Sequence, residues 1–186
     1  MHIKRRKQMR RLAVLIGLIF ISATLPLRAE SKEVLDIEIK ETIKEFDKEA
    51  KGGREFLRKA KGYLVFPNVY KAGFGIGGEY GEGALLIKGR IVDYYSTAAA
   101  SVGFQLGVQK RSVIVVFLTR KALDDFRKSG GWRVGVDGSV AIAKWGVGED
   151  LNTIDFKDPV VGFVFGNRGL MYNLTLEGAK FTKLEK

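Results

Sequence analysis

Apolar residues recur at helical spacing early in the chain, at Leu35, Ile39, Ile43, Phe46 and Ala50. Steps of four, four, three and four lay one stripe along a helix, and Ser31 stands where an N-cap belongs. Gly52-Gly53 interrupts that pattern, and a second helical piece, 54–61, carries Phe56, Leu57 and Ala60 before Gly62. From Tyr63 the period falls to two, which predicts strands at 63–66, 72–80, 83–88, 91–97, 101–109, 112–118, 133–143, 160–166, 169–176 and 179–184. Lys88-Gly89, Asn167-Arg168-Gly169 and Glu177-Gly178 supply turns. One further helix, capped by Thr119 and ended by Gly130, turns Leu123 and Phe126 inward. Residues 144–159 read as the longest loop.

The stretch Tyr63 to Gly83, YLVFPNVYKAGFGIGGEYGEG, places Gly73, Gly75, Gly77, Gly81 and Gly83 on one parity, broken only by Glu79. Glycine inside a strand is unfavourable, so its repetition marks a sheet that bends sharply or is approached closely. Gly73, Gly75 and Gly78 formally match a dinucleotide-binding fingerprint, but that motif requires a helix directly after it, and EYGEGALLIKG is no helix start. A fainter pattern, G-F-x-apolar-G, begins at Gly73, Gly103 and Gly162; either duplication or independent selection by curved sheets produces it. The fold expected is α+β and β-rich: N-terminal helices, then a strongly bent or barrel-like, mainly antiparallel sheet with one inserted helix.

The 186 residues carry a net charge of +11, but residues 1–29 hold seven basic side chains and no acidic one, leaving +4 for the remainder. The cationic start, the uncharged run Leu12–Leu25 and Pro26 read as a secretory signal, with cleavage after Ala29. An uncleaved anchor is the alternative. The organisation expected is a signal peptide at 1–29 and one domain at 30–186, exported to the periplasm and peripheral to a membrane. With the excess charge in the leader, nucleic acid is not an expected partner. The chain has no cysteine, and its one histidine is His2. Thiol nucleophiles, imidazole bases and ordinary zinc sites are thereby excluded from 30–186, and no enzyme, cofactor or metal is expected.

The run Gly62–Gly78, GYLVFPNVYKAGFGIGG, resembles the hallmark segment of the SYLF domain family. The likeness continues through 101–126, 134–141 and 160–181. It implies a lipid-binding module; eukaryotic members bind phosphoinositides, and some act at actin patches. This chain has no SH3 or FYVE companion, so what the resemblance implies here is the general mode, an anionic headgroup met by cations beside apolar side chains.

Charge distribution points to one place independently. Residues 51–71 sum to +5, against −4 for 30–50 and +3 for 72–186. The lipid-binding residues expected are Arg54, Phe56, Leu57, Arg58, Lys59, Lys61 and Lys71, with anionic phospholipid or a membrane surface as partner. The bland alternative is a solvated helix face. In the preceding helix, Lys40, Lys44 and Lys48 interleave with Glu41, Glu45 and Glu49, an exposed ion-paired face with a structural role. Adjacent Asp124 and Asp125 diverge on a helix, which suits no acid–base pair. Glu149, Asp150, Asp155 and Asp158 are either calcium ligands or solvated loop acids. Trp132 and Trp145 suit either a core or a membrane interface. The function expected is non-enzymatic phospholipid or amphiphile binding at the bacterial envelope; the alternative is an interaction protein that binds an envelope partner without lipid.

Overall fold

The computed structural model describes residues 31–143, 150–166, 176 and 178–186, with the backbone alone at 73–76 and 101–108. The expected signal, Trp145, Glu149 and most of the strand at 169–176 lie outside the described residues. Helices α1 (Lys32–Glu49), α2 (Gly53–Lys59) and α3 (Arg120–Lys128) accompany strands β1 (Gly62–Ile87), β2 (Arg90–Phe117), β3 (Trp132–Arg133), β4 (Ala141–Ile142), β5 (Val160–Phe165) and β6 (Lys180–Leu184). Both predicted caps form: Ser31 Oγ accepts from the Val34 amide at 3.4 Å, and Thr119 Oγ1 from Ala122 at 3.2 Å. The stripe of α1 is buried at Leu35, Ile39, Phe46 and Ala50, while Ile43 sits at its edge and Thr42 takes the intervening place.

The strands assemble into one strongly curled, β-rich sheet in the order β3-β6-β2-β5-β4, with β1 paired to β2. The pairings between these six strands are antiparallel except β4 with β5. The frame is the β1–β2 ladder, which runs from Ile87↔Arg90 beside the Lys88-Gly89 turn out to Gly62↔Phe117. The three short strands expected over 63–88 are thus a single strand of 26 residues. Register shifts at Phe66/Val69, Gly73/Gly75 and Leu85/Leu86 keep it paired while it bends. The first shift accommodates Pro67, which has no N–H to give a ladder. Its carbonyl accepts from Ser112 Oγ at 2.9 Å.

The bend is severe. Thirteen residues of straight strand would part Asn68 from Gly81 by roughly 40 Å, yet a Cβ at Gly81 would stand 2.7 Å from the Asn68 carbonyl oxygen. At Gly83 it would stand 2.1 Å from the Val65 carbonyl oxygen. The returning arm of β1 therefore lies against its own outgoing arm, and the alternate glycines remove the side chains that would hold them apart. What approaches the bare face closely is the chain itself.

Alternation along the ladder feeds two cores. Tyr63, Val65, Ile114, Val116 and Phe163 pack with α1 and α2, around Phe46 and Phe56. Leu64, Phe66, Val113, Val115 and Phe117 pack with α3 and β6. Phe126 is the hub of the second core, its ring 4.9 Å from Phe117, 5.0 Å from Tyr95 and 5.9 Å from Trp132. Trp132 stacks on Phe181 at 5.9 Å and 16°, so it is a core residue. All of these residues fall within the compact unit Ser31–Lys186.

The predicted strand at 133–143 is corrected to two short strands around a turn. Gly135 takes φ +85°, and the Asp137 carboxylate accepts from the Arg133 amide at 2.6 Å, a side-chain-to-backbone bond that favours a turn over a ladder.

Gly83→Ala in the Ser31–Lys186 unit should destabilise by at least about 1–3 kcal/mol, the usual range for overpacking. Gly130→Ala, with nothing within 4 Å of the added methyl, should stay within about 0.5 kcal/mol of the parent. Urea denaturation followed by circular dichroism measures both.

Candidate functional site

The basic segment begins at Lys51, and the φ of +75° at Gly52 turns the chain from α1 into α2. It is pinned from across the fold. Lys51 bridges to Asp150 and its carbonyl accepts from the Leu151 amide at 3.0 Å. Asn152 Nδ2 donates to the Gly52 carbonyl at 3.2 Å and to Asp150 Oδ1 at 3.0 Å. Lys59 Nζ donates to Asn152 Oδ1 at 3.1 Å. Bonds from the Asn152 amide, and then from its side chain, hold the Asp150 carboxyl below its ordinary value, with Lys51 and Lys59 adding smaller contributions. Asp150 is thus a structural acid, and Asp155 and Asp158 are exposed. Among the described residues no group of His, Cys, Asp and Glu is placed to hold a metal ion.

The seven residues singled out from the sequence divide into three sets. Arg54, Arg58, Lys59 and Lys61 are exposed. Arg54 lies 3.6 Å from Asp47, and Lys59 lies 2.9 Å from Glu55, both solvated pairs of small energetic weight. Phe56 and Leu57 are 8% and 2% exposed and belong to the first core. The expectation that these two bind lipid is therefore corrected: the helix turns its apolar face to Phe163 and Phe156, which lie 5.7 and 5.2 Å from the Phe56 ring. Lys71 is set apart from the other cations, largely buried at 19% side-chain exposure and 3.3 Å from Glu79.

That last pairing belongs to a constellation the charge count missed. Glu79, at 11% side-chain exposure, joins Lys71 and Arg111 across the fold-back of β1, and Arg111 itself is only 6% exposed. Burial lowers the Arg111 guanidinium from its ordinary value, and Glu79 opposes that shift. Among the described residues the guanidinium Nε has no hydrogen-bond partner. The signal was present in the sequence, because Glu79 is the one charged residue among the alternate positions from Gly73 to Gly83. Next to this group the exposed pair Tyr70↔Lys110 stands directly cross-strand, with Lys110 Nζ 6.0 Å from the Tyr70 ring centroid. Tyr80 closes the same region, its hydroxyl pushed up to about 12 by burial first and then by its bond to Glu82 at 2.9 Å. Nothing in these groups assembles a nucleophile with a base. They form two cationic surfaces, one solvated at 51–61 and one half-buried at the bend.

Among the described residues no helix is long and apolar enough to cross a membrane. The profile of the family described as "Ysc84: Las17-binding protein actin regulator" matches residues 98–186. The chain is similar to "SH3 domain-containing YSC84-like protein 1" of Bos taurus, 26% identical over 132 residues, covering 66% of this chain and 37% of that protein. The protein of the same name from Rattus norvegicus is 27% identical over 131 residues, with the same shares. The chain thus matches little more than a third of the length of these curated relatives.

Replacing Glu79 by Gln strands two cations in a poorly solvated place and should destabilise by about 3–5 kcal/mol. A Glu79→Leu, Arg111→Met double variant should recover most of that loss, read from urea midpoints. Because the Asp150 carboxyl is depressed, its contribution to stability is present above the ordinary aspartate range and is lost as pH falls through the folded value. Thermal melts of Asp150→Asn should therefore lie below the parent at neutral pH and converge on it in acid.

Proposed function

From the premise that this chain is a SYLF-family protein through residues 98–186, we propose that it is a non-enzymatic phospholipid-binding protein that adsorbs to anionic membrane surfaces of the cell envelope. The observation that carries this reading is the segregation at α2. Its apolar residues are spent on the core while Arg54, Arg58, Lys59 and Lys61 project into solvent from a backbone fixed by Asn152. A cation near an anionic bilayer contributes about 1 kcal/mol, so four together give reversible, salt-sensitive binding without insertion of the helix. Lys51, also exposed, extends the same surface. Residues 31–186 contain neither cysteine nor histidine, so the carboxylates, lysines and arginines there are the groups such a surface has to work with.

A second reading, an envelope protein partner in place of lipid, draws on Val34 and Ile37. These lie three residues apart on α1 and are 46% and 60% exposed. It is kept separate by the same measurement.

Sedimentation of the Ser31–Lys186 unit with phosphatidylglycerol-containing vesicles should bind protein at low salt and release it as salt rises. Phosphatidylcholine vesicles should leave it in solution. Reversing Arg54, Arg58, Lys59 and Lys61 to Glu should lower the bound fraction at least tenfold with an unchanged melting temperature. Equal binding by that variant refutes the proposed surface, and no binding to any vesicle refutes the lipid reading in favour of the protein partner.

A further inference from the structure

The fold-back of the long hairpin leaves a part of the chain that the second core touches at Ala99 and the cationic segment does not account for. Where Asn68 meets Gly81, β1 departs and returns, and β2 follows it in register through Ala72↔Val108, Gly73↔Gly107, Gly75↔Gly103, Ile76↔Val102 and Gly78↔Ala100. The excursion extends at most roughly 20 Å beyond that contact, half the length of the strand it contains. Over 72–78 (AGFGIGG) and 98–108 (AAASVGFQLGV) it contains no charged residue. Eighteen residues of the two strands without a charge contrast with a chain of which 28% is charged.

The base of this ribbon has a different character. Tyr70 is 47% exposed, and Lys110 opposite it is exposed too. Next along the two strands come Lys71 and Arg111, both held by Glu79, so the base carries three cations against one carboxylate. An uncharged band bounded by an aromatic residue and a lysine with a flexible apolar stem is the arrangement that seats at a membrane interface. There the amphipathic ring lies at headgroup level and the ammonium reaches the phosphates.

We propose that the hairpin fold-back, 72–78 with 98–108, is a bilayer-entering ribbon that dips into the acyl boundary of an anionic phospholipid membrane, with Tyr70 and Lys110 at the headgroups. This rests on the membrane-binding reading above and adds a second contact to it. Depth is limited by hydrogen bonding: β1 and β2 pair along the ribbon except across the register shift at Gly73/Gly75, the ribbon has edges, and unsatisfied backbone in hydrocarbon is prohibitive. Entry is therefore shallow, of the order of the 5–10 Å reached by interfacial elements. Roughly 30 Å of strand separate the ribbon from the cations of α2, so both meet one flat surface only when the sheet lies along it.

The absence of cysteine permits a direct test. Single cysteines placed by Ile76→Cys and, as a control, Val136→Cys, which sits 72% exposed on the 134–138 turn, are labelled with an environment-sensitive fluorophore. On phosphatidylglycerol-containing vesicles the probe at 76 should shift to the blue and lose several-fold more emission to a lipid-borne acyl-chain quencher than the probe at 136. An Ile76→Asp, Val102→Asp variant should lose most of its vesicle binding while its response to salt persists. Vesicle binding with no shift and no quenching at 76 overturns the ribbon and leaves surface adsorption standing. Failure to bind vesicles at all overturns both. Should the aspartate variant not fold, the labelled single-cysteine proteins still decide.

Discussion

Two arms of one strand lie against each other with carbonyl oxygens where Cβ atoms would be, and the rest of the molecule is arranged around that contact. The close approach at Gly81 and Gly83 lets β1 reverse without a loop, and because β2 is paired to β1 throughout, the same bend is imposed on both. Curling then brings β6 beside the first arm of β2 and β5 beside the second, so that one hairpin supplies the middle of the sheet and the seats for its edges. Helices α1 and α2 cover one surface and α3 the other, which explains two aromatic cores in a domain of this size.

The bend brings charges together as well as backbone. Glu79 meets Arg111 and Lys71 only because the strand doubles back, and the guanidinium whose Nε has no partner among the described residues is held there through Glu79. An ionic group of this kind is weak evidence for net stability, since desolvation offsets much of the attraction. Its firmer effect is on specificity of register. A slip of one residue would turn Arg111 to the opposite face of the sheet and leave Glu79 facing apolar neighbours.

Much of the architecture was legible as periodicity. The stripe of α1, the caps at Ser31 and Thr119, the inward Leu123 and Phe126 and the bent sheet all follow from spacing and from the cost of glycine in strands. Continuity was not legible: Pro67 and the glycines read as strand ends, whereas bulges absorb them within one ladder. The turn at 134–138 was hidden because Val134 and Val136 imitate strand alternation, while the deciding bond comes from the Asp137 side chain. At the candidate site, net charge identified the exposed cations but not which apolar neighbours the core would claim. Phe56 and Leu57 are amphipathic partners in sequence and core residues in space, since helical spacing reveals that a face is apolar and not what covers it. Glu79, marked by its parity, was visible; its partners, brought close only by the reversal of β1, were not.

The nested register of the ladder bears on how the chain reaches this state. Its partners lie 3 residues apart at Ile87↔Arg90 and 55 apart at Gly62↔Phe117, and the separation grows mostly by two residues from one pair to the next. Each closed pair shortens the loop left for the next, so the entropy of closure is spread over small increments in place of one large step. Assembly can therefore zip outward from Lys88-Gly89, and the outermost pairs, where α2 hands the chain to β1, close last. Helix α2 and its cations thus take their final place only after the ladder is nearly complete, which makes the charged surface a late product of folding and the bend an early one.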